Sequence, residues 1–158
     1  MTSALTLARL AALVAIFGFF LPWAEVSCSG QPLAHETGIE LITGGAGGAG
    51  AAAPAHHNLW VAASFGLIVL GLAGGLLARG RDAAVMLLAA ALGAAVASLI
   101  GVSREVPGAE AQLGAGASDG AFLRARLEYG YFVTLAGLIV TIAGGGLAGR
   151  RSPGSEPK

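Results

Sequence analysis

Residues 59–78, LWVAASFGLIVLGLAGGLLA, and residues 83–102, AAVMLLAAALGAAVASLIGV, contain no ionisable side chain and are separated only by Arg79-Gly80-Arg81-Asp82. A bilayer core needs roughly 20 predominantly apolar residues per spanning helix, so this pair reads as two membrane spans joined by a short basic turn. Working outward, Leu5 to Trp23 and Glu128 to Leu147 reach the same length. Arg9 near the start of one and Glu128 at the edge of the other can extend to an interface. The expected fold class is an all-α integral membrane four-helix bundle with a small β-hairpin in the first outer loop. Its spans fall at about 5–23, 59–78, 83–102 and 128–147, its outer loops at 24–58 and 103–127. Residues 1–149 form one domain and 150–158 a tail.

The totals agree. Of 158 residues 55% are hydrophobic and 11% charged, with mean hydropathy +0.75, a balance that excludes a soluble globular domain. The formal charge is zero, so nothing points to nucleic acid as a partner. Cys28 is the only cysteine, which excludes an intrachain disulfide framework. Arg9 followed by an apolar stretch also fits a signal peptide. However, Ala24-Glu25-Val26 is a poor A-x-A site, and three more spans follow.

Orientation follows from basic residues, which are kept on the cytoplasmic side of short loops. Residues 24–58 contain no Lys or Arg, whereas Arg79 and Arg81 join spans two and three, and Arg150, Arg151 and Lys158 lie in the tail. Arg104, Arg124 and Arg126 fall on the other side, balanced by Glu105, Glu110 and Asp119; a helical i,i+4 pair of Arg124 with Glu128 is also available. Aromatic residues favour the headgroup region, and Phe19, Phe20, Trp23, Trp60, Tyr129, Tyr131 and Phe132 all cluster at the expected outer ends. The expectation is a multi-pass protein of the cell's inner (plasma) membrane with both termini cytoplasmic.

Membrane helices associate by close approach at small residues. Span three carries Ala89, Gly93, Ala97 and Gly101; span two carries Gly71 and Gly75, with Ala62 and Gly66 on another face; span four carries Gly137, Thr141, Gly145 and Gly149. An alanine- and glycine-rich composition produces some such spacing by chance, but three stripes together favour a tight bundle. Whether they meet within one chain or between copies is open at this stage.

In the first outer loop, Val26 and Cys28 alternate with polar residues, Gly30-Gln31-Pro32 is turn chemistry, and Ile39 and Leu41 alternate again. This predicts a hairpin from Trp23 to Thr43, with Trp23, Val26, Cys28, Ile39 and Leu41 as candidate partner-binding residues. The Gly/Ala tract 44–55 that follows predicts a mobile arm leading to His56 and His57.

Pro22, Trp23, Val26, Ser27, Cys28, Gly30, Gln31, Thr37, Gly38, Leu41 and Gly44 resemble a group of small uncharacterised bacterial four-span membrane proteins, in which Pro-Trp precedes Val-Ser-Cys-x-Gly-Gln and a later Thr-Gly. The layout also resembles claudins, whose first outer loop is a small sheet beginning near a tryptophan. Claudins carry a pair of loop cysteines where this chain has Cys28 alone, so that likeness is one of architecture. Neither resemblance implies an activity.

Gly45-Ala46-Gly47-Gly48-Ala49-Gly50 matches G-x-G-x-x-G, but it lies in a low-complexity outer arm that runs directly into a membrane span, not in the strand-turn-helix unit with a downstream acid that nucleotide binding requires. Cys28, His35, Glu36, Glu40, His56 and His57 offer ligand chemistry with no compact metal spacing. Cys28 with His35 as a base would form a thiol nucleophile, and Glu25 with Glu36 an acid pair; a small buried thiol and solvated carboxylates are the simpler readings. The spans hold no interior charge of the kind transporters use. The expected function is therefore a non-enzymatic structural or accessory subunit with no cofactor, metal or nucleotide. It would assemble in the lipid bilayer, as a homo-oligomer or in a larger membrane complex, through the first outer loop and the glycine faces. A small oligomeric pore or transporter is the alternative, and an enzyme using Cys28 a third reading.

Overall fold

The computed structural model describes residues 2–28, 31–44, 57–114 and 123–150, with side chains placed throughout except at 2–3, 26–28, 31–34, 104–114 and 123–125. The element order is α1 (Thr2–Gly18), β1 (Pro22–Cys28), β2 (Gln31–Thr37), α2 (Gly38–Thr43), α3 (Leu59–Leu77), α4 (Gly80–Gly114), β3 (Leu123–Leu127) and α5 (Tyr129–Arg150). Three helical stretches are long and apolar enough to cross a membrane: Leu59–Leu77, Gly80–Ser103 and Tyr129–Arg150. Ala4–Gly18 is a shorter apolar helix.

The expected first span of 5–23 is therefore corrected. The helix stops at Gly18, where Leu21 N–H bonds back to the Gly18 carbonyl, and the chain enters β1 at Pro22, whose missing N–H suits a strand's first residue. At the other side, α4 continues past residue 102 to Gly114, and the expected loop 103–127 also contains β3.

The four longer helices pack as antiparallel neighbours. α1 and α5 meet along two small-residue stripes spaced alternately four and three: Ala4, Ala8, Ala11, Ala15 and Gly18 against Gly130, Thr134, Gly137, Thr141 and Gly144. A Cβ at Gly137 would lie 2.8 Å from the Ala11 carbonyl oxygen and 2.9 Å from the Ala15 nitrogen, and one at Gly144 would lie 3.1 Å from the Ala4 oxygen. That spacing is the heptad seam of a left-handed pair, built from side chains small enough for backbones to touch. Thr134 and Thr141 donate to the carbonyls one turn back and lie 3.4 and 3.3 Å from the Ala15 and Ala8 carbonyls of α1.

α3 and α4 are joined by Gly80, whose φ of 61° is left-handed backbone natural to glycine. Their seam runs from Asn58 beside Gly101, through Ser64 with Ser98, to Gly71 against Ala90 and Gly75 against Leu87. Gly145 closes the α4–α5 contact against Ala84 and Leu88. Of the expected packing residues, Gly71, Gly75, Gly101, Gly137 and Gly145 thus serve contacts within the chain. Ala97 is buried, a Cβ at Gly93 would meet Leu67 alone among the described residues, and Ala89 is exposed, because a strict four-residue step drifts around a helix of 3.6 residues per turn. Gly149 likewise faces open space.

The helix seams are largely alanine, serine, threonine and glycine: Ala8, Ala15, Ala83, Ala94, Ser64, Ser98, Thr134 and Thr141 are all buried, together with a smaller set of large apolar side chains that includes Val61, Ile68, Leu87 and Leu138. Leucine, valine and phenylalanine line the outside, with Leu77 86%, Leu59 77% and Phe17 63% exposed. Water-soluble bundles have the opposite arrangement.

Candidate assembly surface at the sheet end

The sheet has strand order β2-β1-β3, all antiparallel. The expected hairpin is present as β1 and β2, and β3 joins it from the far side of the chain. Between Pro22↔Thr37 and Ala24↔Glu36 the register shifts by one, leaving Trp23 as a bulged residue. A bulge redirects its side chain, and Trp23 turns into the helices. It is 1% exposed, its indole N–H donates to the Gly18 carbonyl at 2.9 Å, and it packs on Phe19 and Tyr131 at centroid distances of 4.6 and 5.6 Å. Its backbone carbonyl accepts from Glu128 N–H, which starts the β1–β3 ladder. Trp23 is therefore the anchor of the sheet, with its ring facing inward.

Ile39 and Leu41 lie in α2 and not in a strand. Thr37 closes β2 and also caps α2: its hydroxyl accepts from Glu40 N–H at 3.2 Å, and its own N–H donates to the Glu40 carboxylate at 2.7 Å. This reciprocal box overrides the alternating pattern. Gly44, at φ 68°, ends the turn. Ile39 N–H bonds the Phe19 carbonyl, Asn58 N–H bonds the Leu41 carbonyl, and both side chains sit half-buried on the core. Asn58 then caps α3 through Trp60 and Val61 N–H and donates to Gly101 in α4. One buried asparagine thus ties three helices together, through its backbone N–H to α2 and its side-chain amide to α3 and α4.

The outward sheet face carries Arg126, Glu25 and His35 side by side, since Glu25 is in register with both Arg126 of β3 and His35 of β2. Arg126 and His35 are exposed. Opposed unlike charges on neighbouring strands favour this pairing. Arg124 lies in β3, so the helical i,i+4 spacing expected between it and Glu128 is not the geometry of this segment. Glu36 is in register with Ala24, so Glu25 and Glu36 occupy opposite faces and make no acid pair.

Cys28 is in register with Gln31 at the far end of the hairpin, roughly 10 Å along β1 from the Glu25–His35 position. The side chains of Val26 and Cys28, together with His56, residues 45–50 and the expected arm up to 55, lie outside the described residues. His57 is exposed beside the Ile42 carbonyl. Among the described residues, no three of His, Cys, Asp and Glu come together as metal ligands. A void of about 10 Å³ lies among Ala12, Ile68, Leu72, Leu87 and Leu138, the room of about one water.

Comparison with family models, with curated proteins and with solved structures finds no match for this chain.

Proposed function

We propose that the chain is a non-enzymatic, membrane-embedded structural or accessory subunit. Its four longer helices form a bundle in the bilayer, the sheet lies on the outer side, both termini lie inside, and assembly with a second copy or a larger complex uses the outward sheet face. The observation that carries this reading is the distribution of side chains on the helices: hydroxyls and small residues form the close seams, and more of the large aliphatic side chains are exposed than buried. Lipid tails solvate leucine as well as a protein core does, so only close backbone approach and interhelical hydrogen bonds hold such helices together. The short α1 is compatible with a spanning role because it ends in β1 at the sheet and its neighbours in the bundle complete the crossing.

For assembly, the support is the rigid mounting of the sheet by Trp23, Asn58 and the α2 cap, which presents Arg126, Glu25 and His35 at low entropic cost. Two single-cysteine variants in a Cys28→Ser background test the topology. An impermeant maleimide is expected to label His35→Cys on intact cells and Arg79→Cys only after the inner face is opened; the reverse pattern rejects the orientation. A photo-crosslinking residue at His35 or Arg126 is expected to capture a stoichiometric protein partner or a second copy. A monomer in mild detergent with no crosslink from either position rejects the assembly role.

A further inference from the structure

Arg9 lies about 8 Å of helix inside the apolar stretch that begins at Ala4. Its Nε donates to the Gly75 carbonyl at 3.1 Å and its Nη2 donates to the same oxygen at 2.5 Å. α3 ends at Leu77 and the Ala78 N–H caps Gly74, which leaves the Gly75 oxygen among the terminal carbonyls without a helical partner. A cation there also answers the negative end of the helix dipole. Only one edge of the planar guanidinium is used in this contact. Five N–H donors are available to arginine, and the end-on edge of Nη1 and Nη2 has no partner among the described residues.

Arg79 and Arg81, both exposed, follow α3 immediately, with Asp82 the acidic residue of that connection. Leu10, Leu76 and Leu77 beside the Arg9–Gly75 contact are exposed apolar side chains. The unused guanidinium edge with the basic residues just beyond it suits a phosphate, and the leucines on its flank suit acyl chains, the two halves of a phospholipid. Arginine binds phosphate bidentately through that edge.

We propose that Arg9, clamped on Gly75 between α1 and α3, forms with Arg79 and Arg81 a site for the phosphate of an anionic phospholipid headgroup at the end opposite the sheet. The proposal rests on the membrane reading above. Clamping keeps the guanidinium plane fixed, so that one cation serves both the helix end and the lipid.

The test uses the full chain in dodecyl maltoside. Thermal unfolding and native mass are measured with added phosphatidylglycerol, phosphatidylcholine or inorganic phosphate. Phosphatidylglycerol is expected to raise the unfolding temperature and remain bound, while the other two do neither. Arg9→Gln is expected to bind phosphatidylglycerol about tenfold more weakly, as loss of a charge-assisted hydrogen-bond pair implies. Arg9→Lys, which keeps the charge without the second edge, is expected to recover only part, and Arg79→Gln with Arg81→Gln to weaken binding while leaving the lipid-free unfolding temperature unchanged.

Each variant is compared with its own lipid-free state, so loss of the Gly75 bond is not confused with loss of lipid. Undiminished phosphatidylglycerol binding in both Arg9→Gln and the double variant overturns the site, as does an equal response to inorganic phosphate. If Arg9→Gln does not fold, Arg9→Lys and the double variant decide the outcome. Alkaline extraction of native membranes is run separately: release of the wild-type chain would reject the membrane reading itself.

Discussion

The hydroxyls of Ser64 and Ser98 meet at 2.7 Å inside the α3–α4 seam, and Ser64 also bonds the Ala94 carbonyl at 3.0 Å. The two contacts are unequal, because Ser64 can donate to Ala94 without Ser98, whereas removing Ser64 takes away the one partner that the Ser98 hydroxyl has among the described residues. Ser64→Ala is expected to cost more than Ser98→Ala in reversible unfolding in detergent. A double-mutant cycle is expected to give a coupling of about 0.6 kcal/mol, the size typical of polar pairs between membrane helices. Equal single-variant costs would refute the asymmetry.

Gly137 and Gly66 separate packing from composition. A methyl at Gly137 would press on the Ala11 and Ala15 backbone, whereas one at Gly66 meets nothing within 4 Å. Gly137→Ala is expected to destabilise by about 1–3 kcal/mol. Gly66→Ala is expected to stabilise by about 0.5–1 kcal/mol through helix propensity. Thermal unfolding of the two variants side by side checks the sign of each.

Trp23 and Trp60 are the chain's two tryptophans, one buried and one 39% exposed. In Trp60→Phe, the remaining emission is expected to be blue-shifted and poorly quenched by acrylamide; in Trp23→Phe it is expected to be readily quenched. Trp23→Phe keeps a ring against Phe19 and Tyr131 but abandons the Gly18 bond, and Trp23→Ala is expected to cost about 3–5 kcal/mol.

Thr37→Ala removes the hydroxyl half of the cap on α2. The expected loss is about 1 kcal/mol, with faster amide hydrogen exchange at Glu40 and little change in α3. Thr37→Ser, which retains the acceptor, is expected to restore protection at Glu40. Unchanged exchange in Thr37→Ala would show that α2 is held by its backbone bonds to Phe19 and Asn58 and its packing on the core, not by the cap.

Much of this fold is legible in the sequence where one physical signal dominates. The charge-free runs at 59–78 and 83–102 place α3 and most of α4, and the alternation of Val26 and Cys28 with polar residues places β1, although Gln31 and Pro32, expected in the turn, belong to β2. Hydropathy cannot say where α1 stops, since Phe19, Phe20 and Trp23 are as apolar as the helix before them; Pro22 is the local sign of the change. The Thr37-x-x-Glu40 box was readable and outweighs the alternation of Ile39 and Leu41. β3 is five residues of alternating Leu, Arg and Ala, which carries weight only once β1 supplies the opposing Glu25. The α1–α5 seam follows a four-three step, so a search at fixed spacing of four finds Gly137 and Thr141 but passes over Thr134 and Gly144. Among the candidate contact residues, no pattern in the loop distinguishes Trp23 pointing inward from Trp23 on a surface, because the bulge that turns it depends on the pairing of two strands.

The pairing of α1 with α5 has a consequence for the order of events at synthesis. Thr141 and its α1 partner Ala8 are 133 residues apart, so α1 leaves the ribosome long before its main neighbour exists. Through that interval α1 has small residues where its closest contacts will form and little of its own to bind with, while the α3–α4 hairpin can close locally as soon as it is made. The expected order of assembly is therefore from the middle outward, with α1 first meeting α3 through Arg9 and Gly75. Arrival of α5 then completes two things at once, the seam with α1 and the third strand of the sheet, since β3 runs directly into that helix. A nascent chain interrupted before Leu123 would hold a finished α3–α4 pair, an edge-exposed hairpin, and an N-terminal helix still waiting for its neighbour.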